Sequence, residues 1–241
     1  MCGIYGITKK DIRLIDSYIA TCWYRGPDGH DIWSDDDVTL GHNLLSITSQ
    51  PLQGKQPWIT DKGNVLVYNG EIFNYQELVD QFHFTPKTTC DTELLAFLLD
   101  KFGVDAVNHI DSMHAFAYYD TSNKTIILSR DHVGIKPLFY AEISDGIIFG
   151  SEIKGLLDHV PNSRCIDELA AACMSYSGNN VTRNTMFSNI KKVMPGETVV
   201  YSVAHKKFIS HNRTVITPTS NSSLDYAQFR HEAHETVKMS T

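Results

Sequence analysis

The sequence predicts an α+β layered fold, with helices outside and two antiparallel sheets inside, on three observations. Short apolar runs between residues 113 and 149 are separated by tight turn residues, which suits strands paired antiparallel with their neighbours. Segments of helical spacing flank this strand-rich middle, and that order fits helices packed over sheets. A chain of 241 residues with 42% hydrophobic and 20% charged residues is long enough to bury a full core.

Taken in order, residues 4–7 read as a buried strand start. Asp11 can cap a helix in which Ile15, Tyr18, Ile19 and Cys22 recur at i, i+3, i+4 and i+7, ending near Tyr24. Arg25-Gly26-Pro27-Asp28-Gly29 then turns the chain before strands around Ile32 and at residues 38–42. Residues 65–68 form an apolar, β-branched strand that runs into Asn69-Gly70-Glu71, a sequence typical of a tight turn.

Helical spacing returns at residues 75–82 and, more strongly, at 91–102, where Leu94, Leu95, Leu98 and Leu99 line one side. Strands follow at residues 115–119, 125–128, 138–141 and 147–149. Short helices are expected at 152–157 and 167–174, and a hairpin at 197–210 after the Pro195-Gly196 turn. From Pro218 a polar linker leads into residues 224–241, which have helical potential but little apolar content.

A net charge of -7, with no run of Lys or Arg, argues against a broad nucleic-acid or anionic-membrane surface. The opening apolar run is too short for a signal-peptide core, and no stretch nears the roughly 18 apolar residues that span a bilayer. A cytoplasmic protein is therefore expected. The 5 cysteines form an odd count without C-x-x-C spacing, so neither a disulfide framework nor a zinc site is predicted. Asn-X-Ser/Thr triplets at Asn123, Asn180, Asn212 and Asn221 read as ordinary polar loops in that setting. His231-Glu232-Ala233-His234 has i, i+3 spacing but is not His-Glu-X-X-His, so no metal is predicted, and no cofactor.

Chemistry concentrates at the start. Removal of Met1 from Met1-Cys2-Gly3-Ile4 would leave a thiol and a free α-amine on one residue. A thiol becomes a good nucleophile on ionising, and an α-amine can accept its proton near neutral pH. Against this stands the plain reading of Cys2 as an N-terminal core residue.

Cys2-Gly3-Ile4, Arg25-Gly26-Pro27-Asp28, Asn69-Gly70-Glu71-Ile72-Phe73-Asn74, residues 130–138 and Ser151-Glu152-Ile153-Lys154 occur in that order. Together they resemble the class II glutamine amidotransferase domain of asparagine synthetases, over residues 2–212. The resemblance implies a four-layer α/β/β/α sandwich of N-terminal nucleophile hydrolase type. It also implies hydrolysis of the glutamine side-chain amide to glutamate and ammonia through a γ-glutamyl thioester on Cys2, for asparagine synthesis or a related amidation.

By the same resemblance, the Asn69 side-chain amide and the Gly70 N–H receive the developing oxyanion. Asp91 and Glu71 meet the substrate α-ammonium, backbone groups of Ile47 and Thr48 line the pocket, and Arg25 supports Cys2 as a nearby cation. Alternatives remain for single residues: Asn69-Gly70 as a plain turn, Asp91 as a helix N-cap, Arg25 paired with Asp28 or Asp131. The Arg130 to Leu138 block reads more simply as structural, with Arg130 and Asp131 as a buried pair.

Leu44 stands where the family carries an arginine that grips the substrate carboxylate, and Thr48-Ser49 replaces a usual Val-Asp pair. The alternative to an enzyme is therefore a weakened or inactive domain kept as a binding module. Residues 213–241 are expected to be a linker and the start of a synthetase-type helix. No Ser-Gly-Gly-X-Asp-Ser phosphate loop follows, so no ATP-dependent step is expected here. Expected partners are glutamine and a separate synthetase chain receiving ammonia, without nucleic acid or membrane; a homodimer is left open.

Overall fold

The computed structural model describes residues 1–47, 54–214 and 226–239. Two six-stranded antiparallel sheets stack face to face. One is ordered β10-β8-β9-β1-β3-β2 and the other β12-β11-β7-β6-β5-β4. The first holds β1 (Gly3–Ile7), β2 (Gly29–Ser34), β3 (Thr39–Leu44), β8 (Phe139–Ile143), β9 (Gly146–Gly150) and β10 (Lys191–Lys192). The second holds β4 (Trp58–Ile59), β5 (Val65–Ile72), β6 (Ser112–Asp120), β7 (Thr125–Arg130), β11 (Glu197–Ser202) and β12 (Lys207–Arg213). The helices are α1 (Ile12–Thr21), α2 (Tyr75–Phe82), α3 (Asp91–Phe102), α4 (Glu168–Ser177) and α5 (Tyr226–Met239).

Side chains alternate along each strand, and this alternation builds the layers. Ile4, Val65, Val67, Ala115 and Ala117 face the gap between the sheets. Their neighbours Leu66, Tyr68, Phe116 and Tyr118 face outward to the leucines of α3. On the other side, Tyr5, Ile7 and Ile148 pack against Ile15, Tyr18 and Ile19 of α1. The result is a four-layer α/β/β/α sandwich, as expected.

The helix starts follow local chemistry. Asp11 accepts a hydrogen bond from the Leu14 N–H at 3.1 Å, and Asp167 caps α4 through the Ala170 N–H at 2.9 Å. Two expectations are corrected. Residues 152–157 form only a 3-10 turn at Ile153–Gly155, whose Gly155 packs so close to the Tyr18 ring that a Cβ there would clash. Asn69-Gly70 is not a turn. β5 runs through it to Ile72, with Asn69 opposite Ala115 and Gly70 opposite His114. Glycine is required there by close approach, since a Cβ would lie 2.4 Å from the Met113 carbonyl oxygen and 2.5 Å from the Tyr68 ring.

Candidate active site

The same alternation aims Cys2 and Leu44 of one sheet, and Asn69, Glu71 and Met113 of the other, toward the mouth of the gap between the sheets. There they line one cleft together with Met1, Ile47, Gly70, Asp91 and Lys136. The register of β1 against β3 pairs Gly3 with Asn43, which sets Cys2 against the end of β3. The Cys2 sulfur accepts from the Leu45 N–H at 3.3 Å and points its own hydrogen toward the Leu45 carbonyl at 3.6 Å.

The sequence blocks that flank Cys2 converge on it. Arg25 Nε donates to the Cys2 carbonyl at 3.1 Å, and its Nη1 pairs with Glu152 at 2.7 Å. The partner of Arg25 is thus Glu152 of the Ser-Glu-Ile-Lys block and neither Asp28 nor Asp131. Gly26 lies directly under β3, where a Cβ would come within 2.5 Å of the Leu44 backbone. Asp28 accepts from the Ser46 N–H at 2.8 Å, and the Ser151 hydroxyl accepts from the Ile4 N–H at 3.0 Å.

The opposite wall is the open edge of β5 beyond short β4. The Tyr68 N–H donates to Gln56 Oε1 at 2.6 Å, and the Ile72 N–H to Asp91 Oδ2 at 3.1 Å. Alternate amides of a strand point the same way, so the Gly70 N–H, midway between these two, also faces the cleft edge. Beside it, Asn69 is 2% exposed and its side-chain Nδ2 has no hydrogen-bond partner among the described residues. Buried donors normally have partners, so an unmet amide in a cleft is a candidate binding group.

Asp91 is the first residue of α3; the N-cap is Cys90, and the Asp91 carboxylate turns toward β5. Its Oδ2 accepts from Tyr68 OH at 3.0 Å as well as from Ile72. The N-cap alternative is therefore set aside. Burial pushes the Asp91 carboxyl up, against the pull of those two donors. Ile47 is 77% exposed at the cleft mouth. Thr48 lies outside the described residues.

Burial likewise pushes the Cys2 thiol up; the Leu45 N–H, the terminal amine, Lys136 and Arg25 pull it back down. In this chain the terminal amine belongs to Met1, and burial holds it below its ordinary value. An amine so lowered stays in its free-base form, with its lone pair available, over a wider range around neutral pH.

Arg130 and Asp131 do not pair with each other. Arg130 donates to the carbonyls of Lys136, Val193 and Gly134, while Asp131 accepts from the amides of His114, Val133, Ile135 and Lys136. Each satisfies the loop backbone, which is worth more to a buried loop than one ion pair. This loop carries Lys136 into the cleft. Lys136 and Gln56 were not singled out from sequence; a lysine before a proline and a glutamine in a loop carry no local signal of burial in a cleft.

Fold and cleft together define a four-layer α/β/β/α sandwich with a cysteine at its mouth. A family model described as a glutamine amidotransferase domain matches residues 1–212, and the chain belongs to that family. It is 31% identical over 215 residues to asparagine synthetase [glutamine-hydrolyzing] 3 of Bacillus subtilis (strain 168), covering 84% of this chain and 35% of that protein. It is 34% identical over 204 residues to asparagine synthetase B [glutamine-hydrolyzing] of Escherichia coli (strain K12), covering 76% and 34%. The chain thus spans about a third of the length of these relatives. A solved structure described as the allosteric regulatory enzyme of purine biosynthesis shares the fold at 17% identity, with a TM-score of 0.66 over 90% of this chain and 50% of that one.

Proposed function

We propose that this domain hydrolyses the side-chain amide of glutamine, with Cys2 as nucleophile once Met1 is removed. The freed α-amine takes the thiol proton, and the sulfur bonds to the amide carbon while the carbonyl oxygen takes up the electron pair. The Asn69 Nδ2–H and the Gly70 N–H receive that charge. Collapse of the intermediate expels ammonia, which leaves with the proton held by the amine. Water then attacks the γ-glutamyl thioester, releasing glutamate and the thiol. Asp91 and Glu71 hold the substrate α-ammonium, and backbone groups near Ile47 and Thr48 complete the pocket. Arg25 acts by fixing the Cys2 backbone.

The observation that carries this reading is the buried Asn69 amide, without a partner among the described residues, in one cleft with the Cys2 thiol and the Asp91 carboxylate. The relatives' names, asparagine synthetase [glutamine-hydrolyzing], support ammonia delivery to asparagine synthesis or a related amidation. A synthetase-type partner supplies that second step, residues 2–212 being the amidotransferase unit and 213–241 a linker with the start of a further helix. A cytosolic setting, which keeps thiols reduced, suits a catalytic cysteine.

A second reading, a binding module without turnover, rests on Leu44. A glutaminase assay on the Met1-trimmed chain separates the two. Glutamate release that disappears in Cys2→Ala supports the enzyme. Full activity in Cys2→Ala refutes the mechanism, and activity that appears only with Leu44→Arg supports the inactive module.

A further inference from the structure

The charges lining the cleft among the described residues are unequal. Glu71 and Asp91 are carboxylates, and Lys136 is the one basic side chain. Lys136 is only 8% exposed, yet its ammonium makes no ion pair or hydrogen bond with any described residue. Its stem is buried while the ammonium, unlike the Asn69 amide, still reaches solvent in the cleft, as long cationic side chains commonly do. Its backbone is clamped on both sides, the N–H by Asp131 Oδ2 at 3.0 Å and the carbonyl by Arg130 Nε at 2.7 Å. The cation is thus held at the cleft by a clamped loop, with no ion pair among the described residues. In the same cleft, Leu44 closes the end of β3 with a buried apolar side chain.

An α-amino acid presents one ammonium and one carboxylate. Two acids and a lysine unpaired among the described residues, lining one cleft, are the complement of that pair.

We propose that Lys136 is the anchor for the substrate α-carboxylate in this cleft, replacing a cation that the Leu44 position does not supply. The proposal rests on the glutaminase reading for the choice of glutamine as ligand, but it concerns binding and is tested apart from turnover.

The test is calorimetric titration of the Met1-trimmed Cys2→Ala chain with L-glutamine and with 4-aminobutanamide, which keeps amide and amine but lacks the carboxylate. Lys136→Met is expected to weaken L-glutamine on the order of 10- to 100-fold, as loss of a hydrogen bond to a charged group does. Binding of 4-aminobutanamide is expected to change less than about threefold, since it never met that bond. Lys136→Arg should retain most glutamine affinity, and Leu44→Arg added to Lys136→Met should restore a large part of it, which also shows that the variant is folded. Equal weakening of both ligands, no weakening of either, or no measurable glutamine binding in the parent overturns the proposal. Turnover by the chain with Cys2 intact decides the glutaminase reading separately, so an inactive chain with Lys136-dependent glutamine binding refutes catalysis and keeps the anchor.

Discussion

The Cys2 sulfur lies 3.3 Å from the Leu45 nitrogen and 3.6 Å from the Leu45 carbonyl oxygen, held between a donor and an acceptor of the same residue. The N–H favours thiolate and burial opposes it, so the sulfur rests as a thiol until a base removes its proton. Position comes from the end of β3; in the proposed mechanism, activation comes from the amine that Met1 removal would expose.

Asn69→Ala should lower glutaminase kcat by ~10² to 10³ and change folding stability by less than about 1 kcal/mol. No hydrogen bond of the Nδ2 is lost, because it makes none among the described residues. Steady-state kinetics and urea denaturation of the same preparation check both halves; a large stability loss with unchanged kcat would make Asn69 structural.

Gly70→Ala should destabilise the fold by about 1 to 3 kcal/mol. The added methyl meets the backbone oxygen of Met113, which cannot swing aside as a side-chain tip could. Chemical denaturation measures this directly, and a neutral substitution would show that β5 and β6 yield at this point.

Arg25→Met should cost about 2 kcal/mol, near the lower end for a broken buried pair because Glu152 is partly solvated. Coupling between Arg25 and Glu152, read from a double-mutant cycle with Glu152→Gln, should be about 1 kcal/mol. Additive losses would mean that the Cys2 carbonyl, and not Glu152, is the partner that matters.

Stability should fall as pH drops below about 6.5, where unfolded histidine takes up a proton. Burial pushes His42 down to about 3 and His114 down to about 4, so both stay neutral in the folded chain. The unfolded state then binds more protons, and each histidine contributes a loss of about 1.4 kcal/mol per pH unit between about pH 6 and 4. Asp91, raised by burial, works in the opposite sense near the acid end. His42→Leu should remove one histidine's share of the slope. Unfolding curves across that pH range would refute this if the slope were unchanged.

Local periodicity made much of the fold legible. The leucine spacing of α3 and the Asp11 cap of α1 are set by residues close in sequence, and they give both ends of α3 and the start of α1; α1 itself stops at Thr21, short of the expected Tyr24, where a 3-10 turn at Trp23–Arg25 takes over. Readings that needed a partner far along the chain went astray. Asn69-Gly70 looked like a turn because the residue types allow one, yet pairing with Ala115 and His114 keeps it in a strand. Arg25 has nearer acids in sequence than Glu152, but the sheet brings Glu152 to it. Lys136 gave no signal, since its burial depends on two sheets meeting at one mouth.

The most direct measurement is intact-mass analysis, followed by peptide mapping, of the Met1-trimmed chain after exposure to a glutamine-mimicking electrophile such as 6-diazo-5-oxo-L-norleucine. The account predicts a single stoichiometric adduct on the Cys2 sulfur, prevented by excess L-glutamine and absent in Cys2→Ala. An adduct on Cys22, Cys90, Cys165 or Cys173, or none at all on a folded, trimmed chain, would contradict it.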